Sequence, residues 1–321
     1  TRNPTPMTTQ TESAELLGKL RESISSVFLG PQLAVDRVLC CLLARGHLLL
    51  EDVPGVGKTV LATVAARSIG GTAKRIQMTS DLLPADVIGV SVYEEPTREF
   101  RFMPGPVFAN VVIADEINRA PPRTQSALLE AMNDNSVSVD GTTHPLPEPF
   151  LVIATQNPTD HHGAYALPES QLDRFLIRTS LGYLDDESEV RVLLENPAST
   201  TLESLTPVAT LDGVATMQKV TDSTTLSRPL AEYIRALAVA TRQRTELAAG
   251  LSTRGSLAVA RMARASARVR DRDYVTTDDI TDHFASVAAH RVIPAGGYAG
   301  MTLDDAESLV RDVLRETPMP L

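Results

Sequence analysis

Apolar residues along this 321-residue chain fall into two alternating rhythms. Residues 13–27 and 31–45 carry them at spacings of three and four, which predicts two helices. An unbroken apolar run at 47–51 then predicts a buried strand, and 58–68 returns to helical spacing. The exchange repeats downstream. Strands are predicted at 74–78, 111–114 and 150–155, with a helix over 122–133 whose start is marked by Pro121-Pro122. Strands alternating with helices imply a mainly parallel sheet covered on both faces, an α/β fold. Two stretches interrupt the rhythm. Residues 86–108 hold an alternating run and then Pro-rich turns, and 136–149 hold Val137-Ser138-Val139 followed by Asp140-Gly141, a hairpin signal.

After Asn196 the strands give out. The Thr/Ser/Pro-rich residues 197–207 read as a linker, and 211–220, 229–243, 254–269 and 277–290 read as helices with no strand of comparable length. Polar residues 1–12 read as a disordered tail. The expected plan is therefore a tail (1–12), an α/β core (13–196), a linker (197–207) and a small all-helical lid domain (208–321).

Composition narrows the function. At 43% hydrophobic the chain can bury a large core. No apolar run approaches the ~20 residues that span a bilayer, so no membrane insertion is expected. No leader is visible at the N-terminus. The 2 cysteines, Cys40 and Cys41, are adjacent in a helical pattern. Neighbours on a helix point about 100° apart, so they read as buried thiols rather than a disulfide or metal pair. Together these features predict a cytoplasmic protein. A net charge of −10, 4% aromatic content and no Trp speak against a nucleic-acid surface.

The candidate chemistry starts where the first strand stops. Leu48-Leu49-Leu50-Glu51 runs into Asp52-Val53-Pro54-Gly55-Val56-Gly57-Lys58-Thr59, and Val60 begins the helix. A strand, a glycine loop and a helix in that order form a phosphate cradle. Backbone N–H groups and the helix N-terminus face the anion, Lys58 adds a charge, and the Thr59 hydroxyl suits Mg²⁺. Asp52 stands where this spacing usually begins with glycine; the residue is expected to have a negative φ and its carboxylate to point away from the phosphates. A second strand ends in Asp115-Glu116. Asp115 can hold Mg²⁺ through water, and Glu116 can polarise an attacking water. A third ends at Thr155-Gln156-Asn157-Pro158, placing Asn157 near the same phosphates. His161-His162, with His144, lack metal-ligand spacing and read as solvated loop residues.

In combination, Gly55–Thr59, Asp115-Glu-Ile-Asn-Arg-Ala-Pro-Pro122, Thr155-Gln-Asn-Pro158 and Leu167-Pro-Glu-Ser-Gln-Leu-Asp-Arg-Phe175 resemble the MoxR branch of the AAA+ ATPases, from about residue 13 to the C-terminus. The resemblance implies a P-loop AAA+ core with a helical lid, using ATP/ADP and Mg²⁺. It implies a homo-oligomer, a hexameric ring, that remodels or matures a client protein beside a partner with a von Willebrand factor A domain. By position, Lys58 and Thr59 match Walker A, Asp115 and Glu116 match Walker B, and Asn157 matches the first sensor. Arg174 matches an arginine finger acting on the neighbouring subunit, and Arg254 the second sensor, bound to nucleotide. Val27, Phe28 and Gly30 match the region flanking adenine. Arg123 stands where the family often has lysine. Residues 86–108 match an insert in the second core helix and 136–149 a hairpin before the first sensor, both facing the pore or client. A nucleic-acid motor or loader, or a chelatase-type subunit, shares much of this pattern.

Overall fold

The computed structural model describes residues 6–51, 55–156, 165, 167–202, 204–296 and 303–320, and side chains within these except those of 6–11 and 303. Helices α1 (Pro6–Ser25) and α2 (Gln32–Leu43) precede strand β1 (Leu48–Glu51), and α3 (Lys58–Ser68) leads to β2 (Ala73–Gln77). Helix α4 (Pro84–Ile88) opens a hairpin of β3 (Gly89–Glu94) and β4 (Glu99–Pro104). Then come β5 (Val111–Asp115), α5 (Pro122–Asp134), a second hairpin of β6 (Ser136–Val139) and β7 (Thr142–Pro145), and β8 (Leu151–Gln156). Helix α6 (Glu169–Leu172) and β9 (Ile177–Thr179) complete the first part.

Five strands lie in the order β2-β5-β8-β1-β9, all parallel. The register pairs Glu51 with Gln156 and Gln77 with Asp115, so the loops leaving these strands gather at one edge of the sheet. That edge is where parallel sheets place their ligands. Side-chain alternation divides the core. Val111, Ile113, Leu151 and Ile153 face one apolar cluster, and Val112, Ala114, Val152 and Ala154 face the other.

The chain continues through α7 (Asp186–Glu195), α8 (Pro197–Thr200), α9 (Leu211–Asp222) and α10 (Arg228–Arg242). It ends with β10 (Leu247–Ala249), α11 (Thr253–Val269), α12 (Thr277–Ala288), β11 (Ile293–Pro294) and α13 (Leu303–Glu316). Side-chain caps start several of these helices: Asp185 accepts from the Ser188 N–H, Thr210 from Gly213 and Ser252 from Gly255. Among the described residues no helix is long and apolar enough to cross a membrane.

The first apolar cluster does not stop at the sheet. It runs from α1 and α2 into Val214, Leu237, Val259, Met262 and Phe284 of the helical region. On the opposite face, the second cluster packs α5 and Val137 and Leu146 of the second hairpin. His47 sits under the sheet between these parts. Its Nε2 lies 3.0 Å from the Met132 carbonyl, and the Val152 N–H donates to Nδ1 at 3.0 Å. Burial pulls its pKa down to about 4, and an Nδ1 that accepts a hydrogen bond carries no proton.

Several expectations need correction. Helix α1 begins at Pro6, inside the segment read as a disordered tail. Leu17, Leu20 and Ile24 anchor it in the core, and extending an existing helix costs far less than starting one. The 197–207 segment is not a bare linker: it contains α8, and it delivers the Val208 and Ala209 N–H groups to the Ser68 carbonyl. The helical region holds a two-stranded ladder, β10 with β11. His144 is half-buried on β7, stacked on Phe102 with ring centroids 3.9 Å apart, not solvated in a loop. His161 and His162 lie outside the described residues.

Candidate functional site

Two cavities open on the edge where β1, β5 and β8 end. The polar one, about 320 Å³, is lined by Lys58, Thr59, Arg75, Gln77, Asp115, Glu116 and Thr155 over a floor of Gly55, Gly57 and Val60. Gly55 and Gly57 have φ of 92° and 87°, left-handed values that side chains resist. They turn successive backbone N–H groups toward one point ahead of α3, whose N-terminus adds its dipole. Asp52, Val53 and Pro54 lie outside the described residues, and with them the orientation of Asp52. Beneath the loop, Glu51 is paired with Arg178 of β9, both side chains under a tenth exposed, and Arg178 reaches Asp304 of α13 at 3.4 Å.

One carboxylate is held by residues distant in sequence, the other by a near neighbour. Asp115, 7% exposed, takes the Arg75 Nε at 2.5 Å on Oδ2 and the Thr155 hydroxyl at 3.2 Å on Oδ1. The same hydroxyl accepts the Glu116 N–H at 2.9 Å. Glu116 has φ 55°, a conformation costing about 1 kcal/mol or more for a residue with a side chain. This reversal ends β5 and aims the two neighbouring carboxylates differently. Arg119, in the 3₁₀ turn that follows, holds the Glu116 carboxylate at 2.9 Å. Asp115 and Thr59 together offer the hard oxygen donors that a magnesium ion takes. Arg75 and Gln77 were not anticipated. Their alternation along β2 was legible, but nothing local shows that β2 lies beside β5.

The second cavity, about 380 Å³, shares Gly55, Gly57 and Val60 with the first and is largely apolar. Val27, Phe28, Gly30 and Val56 line it. Its far wall is Tyr183, Leu184, Val192 of α7, and Asn196-Pro197. That wall comes from the stretch around the expected linker, where no helical or strand pattern drew attention. One trough thus joins a cationic, carboxylate-lined end to an apolar end, as a nucleoside triphosphate requires.

The two remaining arginines are elsewhere. Arg174 lines a separate cavity with Ser126, Glu130, Asn133, Asp134 and Gln171. Arg254, in the first turn of α11, places Nε 3.2 Å from Asp173 Oδ2 and donates from Nη2 to Asn133 Oδ1 at 3.3 Å. It lines neither end of the trough. Helix α11 packs on α2, and its first turn, with Arg254, is tied to the Asp173 side of the molecule. Arg174 and Arg254 share one flank. Asn157 lies outside the described residues. Among those residues no cluster of three or more His, Cys, Asp or Glu could hold a metal.

Residues 47–177 match the family described as "ATPase family associated with various cellular activities (AAA)", and residues 239–313 match "AAA lid domain". The YeaC protein of Bacillus subtilis is 44% identical over 317 residues, covering 98% of each chain. The chaperone MoxR1 of Mycobacterium tuberculosis is 40% identical over 279 residues, 84% of this chain and 74% of that one. A crystal structure from Cytophaga hutchinsonii, provisionally assigned as an ATPase, superposes with a TM-score of 0.89 at 33% identity and covers 98% of both chains.

Proposed function

This chain belongs to the MoxR family of AAA ATPases, a membership that makes it an ATP-hydrolysing enzyme, and from that premise we propose that it is a ring-forming, chaperone-like remodelling factor whose active sites are shared between neighbouring subunits. One observation carries this reading. The trough holds a lysine and both carboxylates, while Arg174 and Arg254 stand together on another flank, beyond both of its ends. Charge developing on the γ-phosphoryl oxygens calls for fixed cations, and a guanidinium brought in by a neighbour supplies one.

In this reading the apolar end takes adenine against Val27 and Phe28, and the Gly55–Gly57 N–H groups with Lys58 take the β- and γ-phosphates. Asp115 and Thr59 would hold a magnesium ion, which would supply neutralisation of the phosphate charge. Glu116, oriented by Arg119, accepts the proton of the attacking water. Arg174 and Arg254 act in trans, on the nucleotide of the adjacent subunit. The two hairpins serve the client. They form one surface, because Phe102 of β4 stacks on His144 of β7, and Tyr93 and Phe100 remain exposed beside that stack. The chaperone name of the M. tuberculosis relative supports a protein client. A partner carrying a von Willebrand factor A domain fits the same reading.

The test is Glu116→Gln with Mg-ATP, followed by phosphate release and light scattering. The variant should bind ATP, release no phosphate and hold an ATP-dependent assembly that retains client. Hydrolysis at the parental rate would rule out Glu116 as the base.

A further inference from the structure

Arg291 is buried, with 4% of its side chain exposed, at the end of the 3₁₀ turn that follows α12. A guanidinium removed from water needs acceptors for its whole fork of N–H groups, and where they lie shows what the residue holds. Nε donates to Asp173 Oδ1 at 2.8 Å. Nη2 donates to the Phe175 carbonyl at 2.6 Å and to the Asp173 carbonyl at 3.3 Å, and Nη1 to the Leu176 carbonyl at 3.1 Å. Nη1 also reaches the Val287 carbonyl on its own helix. Apart from Val287 and the neighbouring His290, every one of these acceptors belongs to the residues that bracket Arg174. His290 adds a contact there too, with Nε2 3.0 Å from the Phe175 carbonyl.

Asp173 is the shared element. Arg291 holds one of its carboxylate oxygens and Arg254 the other. Phe175, on the far side of Arg174, is fully buried in the cluster beneath α5. The backbone is thus fixed immediately before and immediately after Arg174, by Arg291 and His290 of the helical region on one side and, on the other, by the Leu176 N–H donating to the His47 carbonyl at 2.8 Å. Arg174 itself points into the neighbouring cavity.

We infer that Arg291 is a positioning residue for Arg174: through Asp173 and the carbonyls of Phe175 and Leu176 it sets where that guanidinium stands, and it couples the helical lid to a finger that is seated on the nucleotide-binding core through Phe175 and the Leu176 N–H. The inference rests on the trans-acting role given to Arg174 above. It implies that the docked lid holds the finger in its working position, and that Arg291 touches neither nucleotide nor the reacting atoms.

The test is a double-mutant cycle on kcat, with ATP affinity and Tm measured on each variant. Arg291→Lys keeps the charge but has no planar fork to serve four acceptors. It should stay folded, bind ATP within about twofold of the parent, and lose about 10- to 100-fold in kcat through misplacement of the finger. In Arg174→Ala the residue that Arg291 places is gone, so Arg174→Ala/Arg291→Lys should be no slower than Arg174→Ala alone. A staple that merely stabilises the fold would lower Tm and multiply with Arg174→Ala, which overturns the inference. An unchanged kcat in Arg291→Lys overturns it as well. Arg291→Gln, which keeps N–H donors and leaves Asp173 to Arg254, provides a second route should the lysine variant fail to fold: it must show the same non-additivity with Arg174→Ala, and additivity there refutes the positioning role. A parental rate for Arg174→Ala itself would refute the trans-acting role, and the inference with it. A slow Arg174→Ala that multiplies with Arg291→Lys refutes only the positioning.

Discussion

Around the phosphate end of the trough, the reactive groups belong to two short runs of sequence, Gly55–Thr59 and Asp115-Glu116, and the sheet register sets them face to face. On the arginine flank the opposite holds. Arg174 is placed by Arg291, which lies 118 residues from Asp173, and Arg254 reaches Asn133 across 121 residues. The first region is built by local chain geometry and completed by neighbouring strands. The second sets core residues, Arg174 and Asn133 among them, against Arg254 and Arg291 of the helical region. In the proposed reading the first region serves its own chain's nucleotide, base included, and the second serves the neighbour's, so the two duties fall in parts of the chain held by different contacts.

The sharpest way to break this comparison is Arg174→Ala. Loss of a finger acting in trans should lower kcat by about a thousandfold while ATP affinity stays within about twofold. A comparable loss of affinity would mean that the flank binds nucleotide after all. Lys58→Ala strikes the other region, and removing a cation from phosphate should weaken ATP binding by about 100-fold or more, as read by titration calorimetry. Mixing the two variants sharpens the division further: some activity should return, because each chain supplies the half that the other lacks.

A smaller effect touches both regions through buried imidazoles. Burial lowers His47 and His283 to a pKa of about 4 and holds His290 well below the ordinary value. In the unfolded chain each would titrate near ~6.5, so the unfolded state binds more protons below that pH. Their contribution is complete above ~6.5 and drains away as pH falls toward the folded value, by up to about 1.4 kcal/mol per pH unit for each histidine. Tm measured by calorimetry should therefore fall between about pH 7 and about pH 5. A level Tm over that interval would show that neither His47 under the sheet nor His290 beside Phe175 supports its region as neutral imidazole.

The division also governs what can be read before folding. Strands β5 and β8 and helix α3 announce themselves by continuous apolar runs or clear spacing, and their bounds shift by no more than a residue or two. Strand β9 spans three residues, too few for any period to register. Helix α7 buries none of its residues, so its apolar positions follow no core-facing stripe. Helix α13 is different: Ala306, Val310 and Val313 are buried at helical spacing and were there to be found. Within the site, Lys58, Thr59, Asp115 and Glu116 depend on neighbours in sequence and were legible. Arg75, Tyr183 and Arg291 acquire meaning only from partners brought close by the sheet order or the docked helices, and no local pattern marks them.

The apolar cluster that passes from the sheet through α1 and α2 into the helical region has a consequence for modularity. The chain looks most divisible near residue 200, where the composition changes, yet there is no seam in the packing at that point. Cutting there would strip Leu39, Leu43 and Val35 of their cover and leave an oily wall on each fragment. A lid borrowed from another member of the family would have to bring its own first two helices with it. Heat should therefore melt sheet and lid as one cooperative unit.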